Sequence, residues 1–80
     1  MKAYVYVTLK RTVLDAQGQT IADALRRMYQ GVADVRQGKY FVLTIDDGLE
    51  KTAAEAEVAR IAREVLTNPV IEDFSFRLED

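Results

Sequence analysis

Eighty residues, 49% of them hydrophobic and 30% charged, make one soluble globular domain with no room for a second core. The formal net charge is −2 and the eleven basic residues are scattered, so the chain carries no electrostatic footprint for nucleic acid. There is no Cys and no His, which removes disulfides, thiolate chemistry, the commonest neutral-pH base and the commonest metal ligand.

Residues 3–10 alternate. Ala3, Val5, Val7 and Leu9 face one way, and Tyr4, Tyr6, Thr8 and Lys10 the other. That is a strand with one strongly apolar face. The start, Met1-Lys2-Ala3-Tyr4-Val5, runs straight into this pattern without a signal peptide, so a cytoplasmic protein is expected. No apolar run approaches the roughly 20 residues of a membrane span. Residues 11–19 read as a loop. Thr20 then caps a short helix over 21–29, with Asp23 completing a capping-box-like start and Gly31 ending it. Ile21, Ala24, Leu25 and Met28 give its apolar spacing.

Residues 32–46 are strand-like but interrupted at Gln37-Gly38. Either Gly38 lies in a hairpin turn between two strands, the reading preferred, or it marks a bulge in one long strand. Asp46-Asp47-Gly48 reads as a turn. A second helix is expected from Glu50 to Leu66, with a stripe of Ala54, Val58, Ile61 and Val65, widened by Ala53, Ala62 and Leu66. Pro69, the only proline, cannot donate a backbone hydrogen bond and pushes Asn68 out of the helical region. The helix must stop there. A closing strand over Val70–Leu78 puts Phe74, Phe76 and Leu78 on one face and Asp73, Ser75 and Arg77 on the other.

The expected fold is α+β: a two-layer sandwich, βαββαβ-like, with both helices on one face of a small antiparallel sheet, as in ferredoxin-like domains. The other sheet face carries Tyr4, Tyr6, Thr8 and either Tyr40, Val42 and Thr44 or Phe41, Leu43 and Ile45. A half-aromatic face on a domain that buries only about 60% of its unfolded surface suits contact with another surface.

The candidate chemistry is thin. Asp46 and Asp47 are adjacent carboxylates, but neighbouring residues at a strand end point apart, and a calcium loop needs further ligands. Gln17-Gly18-Gln19-Thr20 precedes a helix without any glycine-rich phosphate fingerprint. Arg36 and Lys39 flank Gly38 as an exposed basic pair. The tyrosines have no accompanying basic-aromatic RNA-binding string. On residues alone this is a small interaction module with no catalytic residue, cofactor site or metal site of its own. A small-molecule-binding regulatory domain and an RNA-binding module are the other classes to weigh.

Four strings in order carry a resemblance: Val7-Thr8-Leu9-Lys10; Val13-Leu14-Asp15-Ala16-Gln17-Gly18; Val35-Arg36-Gln37-Gly38-Lys39; and Leu66-Thr67-Asn68-Pro69-Val70-Ile71-Glu72. Together they resemble the PurS family end to end, as a single domain over residues 1–80, with Ala16 where the family usually has Pro. That family is the small accessory subunit of phosphoribosylformylglycinamidine synthase in purine biosynthesis. The resemblance implies a non-catalytic subunit that organises the PurL synthetase and the PurQ glutaminase and aids ammonia transfer. It implies a homo-oligomer, dimer or higher, with ATP and Mg held by the synthetase and neither nucleic acid nor membrane as partner. The matching strings make Asp15, Gln17, Gly18, Arg36, Gly38, Lys39, Asn68, Pro69 and Glu72 the expected partner contacts.

Overall fold

The alternation at the start of the chain folds as β1, Lys2–Leu9, the central strand of a three-stranded antiparallel sheet. On its two sides lie β2, Gly38–Thr44, and β3, Glu72–Glu79. The computed structural model describes all 80 residues. Between the strands run α1, Ala16–Met28, and α2, Lys51–Ile61, which continues through one wide π turn over Ala62–Leu66. The order is therefore β1-α1-β2-α2-β3. The α+β class, the two helices and the small antiparallel sheet are as expected.

The middle of the chain differs from both sequence readings. Gly38 neither turns a hairpin nor bulges a long strand; it is the first residue of β2, opposite Thr8. Residues 32–37 form a leg without regular secondary structure outside the sheet. The reason is local. A Cβ on Gly38 would collide with the Val7 carbonyl oxygen and come within 2.8 Å of the Thr8 methyl. Glycine thus permits the close approach with which β2 joins β1.

Register sets the two faces. Val5 pairs with Phe41 and Phe76, and Val7 with Lys39 and Phe74. Ala3, Val5 and Val7 are fully buried and form one cluster with Val58 and Ala62 of the second helix. Phe41, Leu43, Ile45, Phe74, Phe76 and Leu78 pack against it. On the opposite face the rings of Tyr6 and Tyr40 stack at 5.2 Å and those of Tyr4 and Tyr40 at 6.2 Å. The Arg77 guanidinium sits 4.3 Å from the Tyr4 ring centroid. The uncovered face thus takes the Tyr40, Val42 and Thr44 set.

The helix stripe is also shifted. Ala54, Val58 and Ala62 are buried, Ile61 is half-buried, and Val65 is 74% exposed. The π turn uses one residue more than an α turn, so Leu66 rather than Val65 comes round to the core. Thr67 closes the helix, its hydroxyl donating to the Ala62 carbonyl at 2.8 Å. The closing strand starts at Glu72, two residues later than expected, because Asn68-Pro69-Val70-Ile71 is a turn with Pro at its second position.

The first helix starts five residues earlier than expected. Asp15, not Thr20, is its N-cap, and the Thr20 hydroxyl instead donates to the Ala16 carbonyl inside the helix. The expectation that both helices cover one sheet face holds in this chain for α2 alone. The α1 helix makes no extended packing contact with any strand or with α2. It reaches outward as an arm and stretches the molecule to 50 × 27 × 13 Å. Its partner is the 32–37 leg. Gly18 and Ala22, one turn apart, are buried, and Arg26 donates to the Ala33 carbonyl at 2.8 Å.

Candidate functional site

The arm needs a root, and the residues that form it come from three distant strings. Asp15 caps α1 by accepting the Gly18 N–H at 2.9 Å on one carboxylate oxygen. Its other oxygen accepts the Gln37 N–H at 2.6 Å. The same carboxylate thus starts the helix and ties down the leg that returns from it. Gly18 has no room for a side chain: a Cβ there would strike the Asp15 carboxylate and lie 2.5 Å from the Val35 carbonyl oxygen. A second tie runs from the Gln37 side-chain Nε2, which donates to the side-chain oxygen Oε1 of Gln17 at 2.7 Å.

Arg36 works on the loop between β1 and α1. One guanidinium nitrogen donates to the carbonyls of Leu9, Lys10 and Val13, at 3.3, 3.0 and 3.2 Å. Leu9 is the last residue of β1, and Lys10 and Val13 lie in the loop that follows it. The sequence treats Arg36 as an exposed cation without a structural task; the fold gives it one.

On the other side, Glu72 accepts the Asn68 N–H at 2.8 Å and pairs with the Lys39 ammonium at 3.3 Å. Asn68 organises the turn. Its carbonyl accepts from both Ile71 and Glu72, and its side chain accepts from Val70 at 3.1 Å. Pro69 fits this turn because no bond is asked of its nitrogen. The Lys39–Glu72 pair spans the sheet from β2 to β3, over the end of β1.

Asp15, Gln17, Gly38, Lys39 and Glu72 line one cleft of about 200 Å³, floored by Val7 and Leu9 and closed by Gln37. The three candidate strings therefore meet at one place. Arg36 lies behind the cleft, with Asn68 and Pro69 in the turn that carries Glu72. Gln37 is the residue that sequence reasoning missed, although it stands inside the Arg36–Lys39 string.

The electrostatics follow the bonds. The Gln37 N–H, then the Gly18 N–H and the Arg36 charge, hold the Asp15 carboxyl below the usual carboxylate range. The Asn68 N–H, then Lys39, do the same for Glu72. Every buried side-chain polar atom has a partner. No group of three or more acidic side chains is placed to hold a metal ion. The cleft offers ordered polar groups and one exposed ammonium, without a nucleophile–base pair.

Residues 2–80 match the family model described as PurS, phosphoribosylformylglycinamidine (FGAM) synthase. This chain belongs to the PurS family. It is 48% identical to the phosphoribosylformylglycinamidine synthase subunit PurS of Mycobacterium leprae, over 98% of this chain and 95% of that protein. It superposes on Bacillus subtilis PurS with a TM-score of 0.81 and 41% identity, covering 99% and 98% of the two chains. A chain in the structure of PurLQS from Thermotoga maritima gives a TM-score of 0.86 at 31% identity, over 95% and 93%. The three-stranded sheet and the outstretched helix thus belong to a PurS domain.

Proposed function

We propose that this chain is the PurS-type accessory subunit of phosphoribosylformylglycinamidine synthase in purine biosynthesis. The observation that carries the reading is the match along residues 2–80 to the PurS family. The likeness to a chain within PurLQS supports a role beside a PurL-type synthetase and a PurQ-type glutaminase. In this reading the subunit organises those two and aids passage of ammonia between them, as a homo-oligomer in the cytoplasm. ATP and Mg belong to the synthetase. The cleft at the arm root, with Gln17 and Lys39 at its exposed rim, together with the adjoining Asn68-Pro69 turn, is the surface offered to them.

The test is reconstitution. Purified synthetase and glutaminase are assayed for phosphoribosylformylglycinamidine formation with and without this chain, first on glutamine and then on ammonium. A glutamine-dependent rate that rises at least tenfold on adding the chain, with little change on ammonium, is expected. Equal rates with and without it would overturn the reading. No helix is long and apolar enough to cross a membrane, so the assay needs no lipid.

A further inference from the structure

Arg36 uses only part of its guanidinium within the fold. One amino nitrogen is spent on the carbonyls of Leu9, Lys10 and Val13. The other amino nitrogen and Nε make no hydrogen bond in the chain, and the ion pairs all lie elsewhere. Asp15 feels the Arg36 charge, but its two oxygens are already taken by the Gly18 and Gln37 N–H groups. Three neutral acceptors thus fix the guanidinium and leave its charge without a partner. A group held in this way has already lost much of its side-chain freedom, so a ligand meeting the rest of the fork need not order it.

Arg36 borders an open groove of about 400 Å³ where the end of β1, the loop after it and the 32–37 leg meet. Thr8, Leu9, Arg11 and Asp34 line the rest. Arg11 and Asp34 are exposed, and neither has an ion-pair partner. Two guanidinium groups therefore share one groove with a carboxylate that pairs with neither. A ligand that is anionic at one end and donates hydrogen bonds at the other satisfies all three. The volume lies within the range of small-molecule sites.

The charges narrow the ligand. A guanidinium fork matches phosphate and carboxylate alike. Two forks match a phosphate monoester better, since it carries nearly two negative charges and three acceptor oxygens at neutral pH. The ionised Asp34 can only accept hydrogen bonds. It repels a phosphate and suits a hydroxyl beside it.

We propose that this groove binds a sugar phosphate, with Arg36 and Arg11 on the phosphate and Asp34 accepting from a sugar hydroxyl. The Thr8 hydroxyl lies in the same groove and can turn toward a phosphate oxygen. The site is distinct from the cleft of Lys39 and Glu72, and it needs nothing from the proposed function.

The experiment titrates the full chain with ribose 5-phosphate, inorganic phosphate or ribose at fixed ionic strength and follows backbone amide signals by NMR. Ribose 5-phosphate is expected to move the signals of Thr8, Leu9, Arg11 and Asp34 and to saturate at roughly 1 mM, as a small ligand on an open groove does. Inorganic phosphate should move the same signals about tenfold more weakly, the worth of one charged hydrogen bond. Ribose alone should leave them in place. Arg11 and Asp34 make no bond within the chain, so their variants fold. Arg11→Gln should weaken ribose 5-phosphate about tenfold. Asp34→Ala should bind inorganic phosphate at least as well as wild type and lose the preference for the sugar. Equal binding of inorganic phosphate and ribose 5-phosphate by wild type would reduce the groove to a general anion patch and overturn the proposal. So would shifts confined to other parts of the chain, wild-type affinity in Arg11→Gln, or an intact sugar preference in Asp34→Ala. Neither synthetase nor glutaminase is present, so the outcome leaves the proposed function to its own test.

Discussion

Asp15 accepts the backbone N–H of Gln37 at 2.6 Å, a bond that joins residues 22 positions apart and locks the start of α1 to the end of the leg that returns from it. The same carboxylate caps the helix through Gly18. Replacing it with Asn keeps the shape but sets an amide donor against an N–H donor. Asp15→Asn should therefore lower Tm at pH 7 by about 4–8 °C, the shift that one lost buried hydrogen bond causes in a domain of this size. Differential scanning calorimetry measures it, and an unchanged Tm would show that the bond carries no weight.

The acid limb of stability follows from the same group. Hydrogen bonds hold the carboxyls of Asp15 and Glu72 below their ordinary values in the folded state. For a depressed carboxylate, the stabilisation is complete above the unfolded value of about 4 and is lost as pH falls through the folded value. Wild-type Tm should drop below about pH 4. Asp15→Asn, already less stable at pH 7, should drop less steeply over that range. Parallel Tm curves for the two proteins would exclude Asp15 from the acid transition.

Arg36 should matter for stability although it is exposed. It supplies the donor for three loop carbonyls at the end of β1. Charge-assisted hydrogen bonds contribute about 1.5–3 kcal/mol when buried, and less where water can replace them. Arg36→Ala should cost about 1 kcal/mol in urea unfolding and speed amide hydrogen exchange in α1. A change below 0.5 kcal/mol, the range of an uninvolved surface residue, would return Arg36 to the role of a free charge.

The second helix separates two valines that sequence periodicity places on one stripe. Val58 is fully buried and Val65 is 74% exposed. Val58→Ala should cost about 2 kcal/mol from lost methyl burial plus a cavity. Val65→Ala should stay within about 0.5 kcal/mol. Equal costs from urea melts would mean that the helix ends as a regular α-helix.

That pair also shows why the sequence is legible only in part. The strand registers of β1 and β3 were readable because period-2 alternation survives whenever one face is buried. The helix stop at Asn68-Pro69 was readable because proline lacks a donor whatever surrounds it. The π turn was not, since no residue type marks it and its effect is a shift by one position. Nor was the start of α1: Asp15 and Thr20 are both good caps, and only the Gln37 N–H, far along the chain, selects Asp15. The basic-glycine string reads as a hairpin tip until Gly38 is seen pressed against Val7. Candidate residues were located by their strings, but their tasks were not, because hydrogen bonds across more than 20 residues leave no local pattern.

Lys39 gives the sharpest test of the rim as a docking surface. Its side chain is 59% exposed, and its ammonium pairs with Glu72, whose other carboxylate oxygen is already held by the Asn68 N–H. Exposed ion pairs contribute about 0–1 kcal/mol, so Lys39→Gln should leave the fold and its Tm nearly intact. The loss of a charge at a contact with a larger subunit should be felt in assembly, where rim charges act on encounter and register. Glutamine-dependent synthesis in the reconstituted complex should then require about tenfold more of the variant for half-maximal rate, while synthesis from added ammonium, which needs no delivery from the glutaminase, should change little. Gln17→Ala, across the same cleft, should act in the same direction, and the two together should be less than additive if both touch one partner surface. Titration of each variant into synthetase plus glutaminase, with the nitrogen source switched between glutamine and ammonium, measures this. Wild-type titration curves on glutamine for Lys39→Gln and Gln17→Ala would take the cleft out of the interface and move the docking surface elsewhere on the chain.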